Sequence, residues 1–557
     1  MAEMILPGTY IEVRPEGLIV PGRVTVGTIG IVGTASKGPI GDPTTLGSYL
    51  EARAKFGDYD AWVDGASGEL SLVRALELAF GHGATTVVAL RVASATAAKA
   101  TYLLASASGD CVRLAAKTEG SWGNDLKVKV SAADEPAYVE SEEHNGGAPI
   151  NLEFTPVLKN ARNRVRLFTA ADGLTRTMQI IYDDDANPPT ASQVKINRAT
   201  GELTFTAPLD PADVVTASYV VDAASAVKVT LQLGTNEEVY IVVSGDDLAT
   251  DINRSPGGSA WAGAEVLANS GELPSTMTDF GAFGTGTNTA GDNGADADDG
   301  DYKDGLDLLL NEDAHIMLAA GKDDSFGDEL NAHCQVASTD AIRRDRIGVV
   351  GTSLGVDVDT IRGHNLNSDR LLFVAPGIKV TDATAGKEVT LPGGYAAAAI
   401  AGLLAGYSPH ISLTNKVLFV GGLENKYTNA ELSQLVQSRV LALEVRQGYR
   451  IVKGITTSTN TAWHQITTRR IVDFAKYGVR SAANPYIGLL NNERVRGALQ
   501  STIAAFLDEM VRDEKLISYD LSVSATREEE RQGIVQVTMV LRPVFSIDFI
   551  KVTMFLE

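Results

Sequence analysis

Cysteine is nearly absent from this chain. Cys111 and Cys334 are the only two in 557 residues, too few for a disulfide framework or a four-ligand zinc site. Histidine is sparse too. Its seven copies are scattered singly, and His333–Cys334 is the one adjacent His/Cys pair, so structural roles are the expectation for all of them. Basic charge is in deficit: 48 Lys and Arg against 70 Asp and Glu leave a net charge of −22. That argues against direct nucleic-acid contact, which needs a basic footprint. No apolar run approaches the ~20 residues of a membrane span. The stretch around Tyr395 to Leu404 is too short and is broken by Gly402 and Gly406, so no membrane insertion is expected. The opening MAEMILPGTYIEV has neither a basic n-region nor a long apolar core, so no signal peptide is expected. These absences fit a soluble chain made in the cytoplasm.

The length calls for several domains, since single cores stop growing at about 250–300 residues. Residues 1–20 read as an extended arm in which Tyr10, Ile11, Glu12 and Val13 alternate as a half-buried strand does. Residues 21–96 read as a first α/β block: a strand over Val26–Val32, a helix over Glu69–Phe80 and a strand over Thr85–Val92, a βαβ unit. Residues 97–149 and 223–305 read as two parts of one β-rich insertion. Between them, 150–222 reads as an inserted all-β, sandwich-like domain with no helix. The glycine- and aspartate-rich stretch 281–305 reads as a mobile surface loop. A second α/β block is expected over 306–454, with strands at His315–Ala320, Arg346–Val350, Leu371–Val374 and Val417–Val420. Its helices fall at Leu330–Ala341 and Tyr395–Leu404, and a third is capped by Asn429 with Leu432, Leu435, Val436, Val440 and Leu443 on one face. Residues 455–543 read as an α+β domain built on a helix over Glu493–Val511 and strands at Leu516–Ser524 and Ile534–Leu541.

Enzyme-like strings are weak. Gly351-Thr352-Ser353-Leu354-Gly355 fits the G-x-S-x-G elbow and follows a strand, which makes a serine hydrolase using Ser353 the alternative reading. No HGGG-type oxyanion loop accompanies it, and Val356–Asp359 is a poor helix start. Gly33-Thr34-Ala35-Ser36-Lys37-Gly38 lacks the G-K-[ST] ending of a phosphate loop. Asp296, Asp298, Asp299 and Asp301 suggest calcium, but the sixth and twelfth places counted from Asp296 hold Asp301 and Asp307, not the glycine and glutamate of an EF-hand. The expectation is a chain with no catalysis, no metal and no cofactor.

The last fourteen residues, VFSIDFIKVTMFLE, carry the most information. A β-prone apolar run with no glycine or proline sits where chains usually fray. Left in water such an edge aggregates, so 544–557 is expected to be a strand added to a sheet, its own or a neighbour's. From residue 440 onward the chain holds 15 Lys and Arg against 13 Asp and Glu, so its C-terminal part is near neutral while the remainder is strongly acidic. A different electrostatic partner is expected there.

These residues carry a family resemblance. The opening PGTYIEV, the stretch GIVGTASKGPIGDP, Phe56-Gly57 before a helix, Ser121-Trp122-Gly123-Asn124, Ser412-Leu413-Thr414-Asn415-Lys416 and the close from RRIVDFAKYG to VFSIDFIKVTMFLE resemble contractile tail sheath proteins of phages and injection systems. The resemblance covers both ends and the α/β core and is weak across 150–310. It implies a subtilisin-like α/β core without catalysis, inserted all-β domains, an α+β C-terminal domain and strand arms at both ends. It also implies a homo-oligomer of stacked hexameric rings that contracts around an inner tail tube protein, with baseplate and tail terminator proteins as partners. The location it implies is a virion tail or injection-particle sheath, assembled in the host cytoplasm. On this reading Tyr10, Ile11, Val13, Ile547, Phe549, Ile550, Val552 and Phe555 form the inter-subunit arms. Arg469, Arg470, Arg494 and Arg496, with Arg446 and Lys453 just upstream, are the tube-facing candidates. A non-contractile surface or adhesin protein is the remaining alternative.

Overall fold

The computed structural model describes residues 27–64, 69–147 and 149–555. They form two compact units. The first comprises 27–35, 40–94 and 295 onward, and the second 36–39 and 95–294.

The first unit is built on a nine-stranded mixed sheet. Its order is Thr44–Leu46, Val87–Arg91, Ile29–Gly33, Ile316–Ala319, Ile347–Gly351, Leu371–Ala375, Leu441–Val445, Tyr449–Ile451, Val417–Leu418. The six strands from Val87–Arg91 to Leu441–Val445 pair in parallel. Strands such as IGIVG, VVALR and LLFVA are buried at every position, as a parallel sheet covered on both faces demands. Helices Ser71–Gly81 and Gly393–Gly406 pack in the apolar cluster of one face. Helices Asp299–Leu308, Gly327–Ala337 and Asn429–Gln437 contribute to that of the other. The expected βαβ unit is present: Ile29–Gly33 and Val87–Arg91 are parallel neighbours with the Ser71–Gly81 helix between them in sequence. Gly393–Gly406 is buried almost throughout. It lies so close to Ser71–Gly81 that a Cβ on Gly402 would run into the Ala79 carbonyl.

In the second unit the seven-stranded sheet runs Ala137–Asn145, Val214–Val221, Arg164–Thr169, Leu174–Tyr182, Gln193–Ile196, Glu202–Thr204, Ile150–Asn151. Its inward positions, Val139, Val165, Val194 and Val215 among them, make one core. A four-stranded sheet (Asn236–Val242, Val227–Leu233, Leu126–Ala132, Gly281–Ala282) and a three-stranded one (Ala262–Val266, Asp110–Ala116, Thr101–Ala105) share another. Residues from 100–130 and from 227–283 line this second core, while the strand Ala137–Asn145 joins the seven-stranded sheet.

Several expectations need correction. The stretch 281–305 is a loop over 283–298, but it is pinned at several points and ends in a helix. Gly281–Ala282 pairs with Lys127–Val128, the Asn124 amide clasps the Gly291 backbone at 2.7 and 3.0 Å, and Asp298 caps the helix Asp299–Leu308 through a reciprocal bond with Asp301. The first unit accordingly resumes at residue 295, not 306. Thr428, not Asn429, caps the next helix, in a capping box with Glu431. That helix ends at Gln437, and Leu443 lies in the β-strand Leu441–Val445. Asp357 proves a competent cap for the short helix Val358–Arg362. The 18-residue helix Ile466–Ala483 is an addition to the expected elements.

Candidate functional site

Beyond residue 460 the chain packs Ile466–Ala483 against Glu493–Arg512 and a hairpin, Leu516–Ser524 with Gln536–Pro543. Leu499, Ile503, Phe506 and Met510, three or four residues apart, bury one stripe of the second helix. The hairpin lays Tyr519, Leu521, Val523, Val537, Met539 and Leu541 on that cluster and leaves Ile517 and Val540 exposed. Two strands make a marginal sheet. Among the described residues this one has no third strand, so its outer edges offer unpaired ladder positions.

The tail follows directly. Val544 N–H still reaches the Lys515 carbonyl at 3.3 Å, after which residues 544–555 adopt no regular secondary structure. The expected strand is thus not formed within one copy. Ile547, Phe549, Ile550, Val552 and Phe555 are 72–88% exposed. An apolar run of this length left exposed is the kind of segment that other surfaces cover. The other arm candidates, Tyr10, Ile11 and Val13, lie outside the described residues.

The tube-facing arginines do not form one surface. Arg469 is buried, donating to Asp369 at 2.9 Å and Asp473 at 2.6 Å, with its guanidinium over the Trp463 ring. Arg470 is buried as well. It donates to the Leu404 and Tyr407 carbonyls at 2.8 and 2.9 Å, a cation at the carboxyl end of Gly393–Gly406 where the helix dipole favours one. Burial pulls its pKa down to about 10. Both arginines belong to the internal framework, and their assignment to an external partner is withdrawn. Arg494 is exposed in the first turn of Glu493–Arg512, and Arg496 pairs with Glu530 at 3.0 Å. Upstream, Arg446 pairs with Glu444 at 3.0 Å and Lys453 with Asp548 at 3.4 Å. Asp548 escaped notice in the sequence, although the only carboxylate between Val544 and Leu556 was an available signal.

Ser353 donates its hydroxyl to the Asp323 carboxylate, while His364 uses Nε2 on the Ser438 carbonyl at 2.6 Å. A serine bonded directly to a carboxylate, with no histidine interposed, lacks the base that a triad requires. Asp298 and Asp301 are committed to the helix cap and Asp299 to Lys322 at 2.8 Å. Among the described residues no group of three His, Cys, Asp or Glu could hold a metal ion, and no helix is long and apolar enough to cross a membrane.

Residues 295–457 match the phage tail sheath protein central domain, and residues 458–557 the phage tail sheath C-terminal domain. Among curated proteins none matches. In fold, the chain is similar to the sheath tail protein of Desulfitobacterium hafniense, with 14% identity over 96% of this chain and 100% of that one and a TM-score of 0.58. It is also similar to the sheath tail protein of Listeria innocua, with 14% identity over 95% of each chain and a TM-score of 0.57.

Proposed function

We infer that this chain, whose residues 295–557 match the phage tail sheath central and C-terminal domains, is a sheath subunit that polymerises as stacked hexameric rings around an inner tail tube. Terminal arms link the copies by strand exchange, and the assembly contracts to drive the tube through a target cell envelope. Baseplate and tail terminator proteins close the two ends. The observation that carries this reading is the exposed apolar tail Val544–Phe555 next to a hairpin with open edges.

Energetics support it. Burying each of Phe549, Ile550, Val552 and Phe555 contributes about 1.5–3 kcal/mol, and each ladder hydrogen bond about 1 kcal/mol net. The gross gain is on the order of 10 kcal/mol per arm, offset in part by association entropy. Links of that strength outlast the weaker face-to-face contacts that contraction must break and re-form. The β-rich unit centred on 150–222 belongs on the outside of such a polymer, where an insertion disturbs neighbours least. The apolar arm needs a recipient for its hydrogen bonds, which a surface adhesin with isolated modules does not supply.

Negative-stain microscopy of the purified protein tests the reading. The full chain is expected to give striated hollow cylinders. Truncations lacking residues 1–20 or 544–557 are expected to stay folded and dispersed. Normal cylinders from either truncation would contradict strand exchange.

A further inference from the structure

Within the exposed tail one side chain is turned inward, and it is the carboxylate. The Asp548 side chain is 10% exposed, whereas its neighbours Ile547 and Phe549 are 79% and 84% exposed. Burying an acid while leaving the flanking isoleucine and phenylalanine in water inverts the usual preference. Such an inversion is stable only where the carboxylate is well satisfied.

Four groups satisfy it. Thr414 Oγ1 donates to Oδ1 at 3.3 Å and Ser546 Oγ to the same oxygen at 3.2 Å. Gln465 Nε2 donates to Oδ2 at 3.2 Å, and Lys453 Nζ stands 3.4 Å away. The same ammonium lies 5.4 Å from the centroid of the Phe549 ring, so one cation holds two consecutive residues of the tail.

The platform under these groups is stiff. Leu413 is fully buried. Asn415 takes a φ of 64° and bonds the Ile451 carbonyl at 2.8 Å. Gly454 passes so close that a Cβ on it would stand 3.2 Å from the Leu413 nitrogen. Thr414 Oγ1 accepts from Gly454 N–H at 3.2 Å, which leaves its own proton free to point at Asp548. Gln465 is the N-cap residue of the long helix Ile466–Ala483. The carboxylate is thus fastened to a turn of the core and to the start of the C-terminal helix pair.

We propose that Asp548 is a positioning residue for assembly: it fixes the point and direction at which the arm leaves its own subunit. The strand-adding segment begins at Phe549, and residues 544–548 stay with the parent subunit. This rests on the strand-exchange reading above. With the anchor in place, five residues are already ordered before the arm meets a second copy of this chain. Without it their backbone must be ordered during association.

The experiment uses the full chain with Asp548→Ala, Asp548→Asn and a deletion of residues 549–557. It reads the critical concentration for polymerisation, the melting temperature of dispersed subunits and hydrogen exchange of the 544–548 amides. Asp548→Ala is expected to raise the critical concentration at least about tenfold and to speed exchange over 544–548, with the melting temperature unchanged. Asp548→Asn keeps an acceptor for Thr414 but turns a donor toward Gln465 Nε2 and Lys453 Nζ, and is expected to fall between parent and alanine variant. The deletion is expected to abolish polymers. If Asp548→Ala polymerises like the parent while the deletion does not, the anchor is refuted and the arm survives. If the deletion polymerises normally, the arm reading and the anchor fall together. A lowered melting temperature in Asp548→Ala with unchanged 544–548 exchange would make the residue a mere stabiliser of its own fold and would also overturn the proposal.

Discussion

Arg370 holds Asp473 through both carboxylate oxygens, at 2.9 and 3.1 Å, across the join between the main sheet and the helix Ile466–Ala483. Both side chains are nearly buried. The remaining guanidinium bonds go to the Arg346 carbonyl and to Asp345, and Asp345 also takes Lys476 and Arg480. Breaking a buried pair leaves an uncompensated charge and costs about 3–5 kcal/mol. Asp473→Ala is therefore expected to destabilise the subunit by that amount in urea unfolding. Replacing both partners together, as Arg370→Met with Asp473→Leu, should recover part of the loss, the remainder being the bonds of Arg469 to Asp473 and of Arg370 to Asp345.

Acid should unfold the subunit earlier than its carboxylates alone dictate. Arg346, fully buried, donates to the Leu309, Leu310 and Glu312 carbonyls at 2.6–3.0 Å. It stands 2.8 Å from His333 Nε2. Burial first, and then the Arg346 charge, push the His333 pKa down to about 3. Burial with Arg346 and Arg470 brings His315 down to about 4. The folded state thus keeps these rings neutral while the unfolded chain takes up protons from pH 6.5. Their stabilising effect is complete above pH 6.5 and is lost as pH falls toward 3–4. His333→Gln retains an acceptor for Arg346 without titrating. It should reduce the slope of stability against pH near pH 5 by about 1.4 kcal/mol per unit, measured by urea titrations at several pH values.

The parallel sheet was the most legible part of the fold. Runs such as Ile29–Gly33 and Leu371–Ala375 are apolar at successive positions because both faces are covered, and no other environment suits them. The helix Ile466–Ala483 was hidden because its inward face carries Thr467, Thr468, Arg469, Arg470 and Asp473. Ion pairs and carbonyl contacts on one side accompany an apolar stripe of Ile471, Phe474, Ala475 and Ala482 on the other, so arginines that satisfy the interior read as a surface patch. The order in 281–305 was hidden for a related reason. Asn124, Asn288 and Asp298 order its backbone through side-chain hydrogen bonds, and composition carries no trace of such partners. The apolar tail was legible from hydropathy alone, whereas its anchor depended on Lys453, Thr414 and Gln465, which are 83 to 134 residues away.

Gly478 lets the two C-terminal helices meet. A Cβ at that position would collide with the ring of Phe506, which is stacked on Phe474 with centroids 5.8 Å apart. Gly478→Ala is expected to cost about 1–3 kcal/mol through overpacking, even though alanine is the better helix former. Adding Phe506→Leu should remove the clash and restore part of the loss, a coupling that a double-mutant cycle in urea measures directly.

The tube-facing hypothesis now depends on Arg494 and Arg496, and their location makes a sharp test possible. Both lie in the first turns of Glu493–Arg512, where the helix dipole disfavours cations. Arg496 is partly compensated by Glu530 at 3.0 Å, so reversing it would also break an internal pair. Arg494 is exposed on the same turn and is the site to reverse first. Arg494→Glu should stabilise the dispersed subunit by about 0.3–1 kcal/mol while weakening co-assembly with the tube protein several-fold at low salt. Raising the salt should shrink that difference, because exposed charges are screened within about 10 Å at 0.1 M. Opposite signs in the two measurements would mark a residue placed for a partner at the expense of its own helix. Unchanged co-assembly at low salt would remove the electrostatic part of the tube contact.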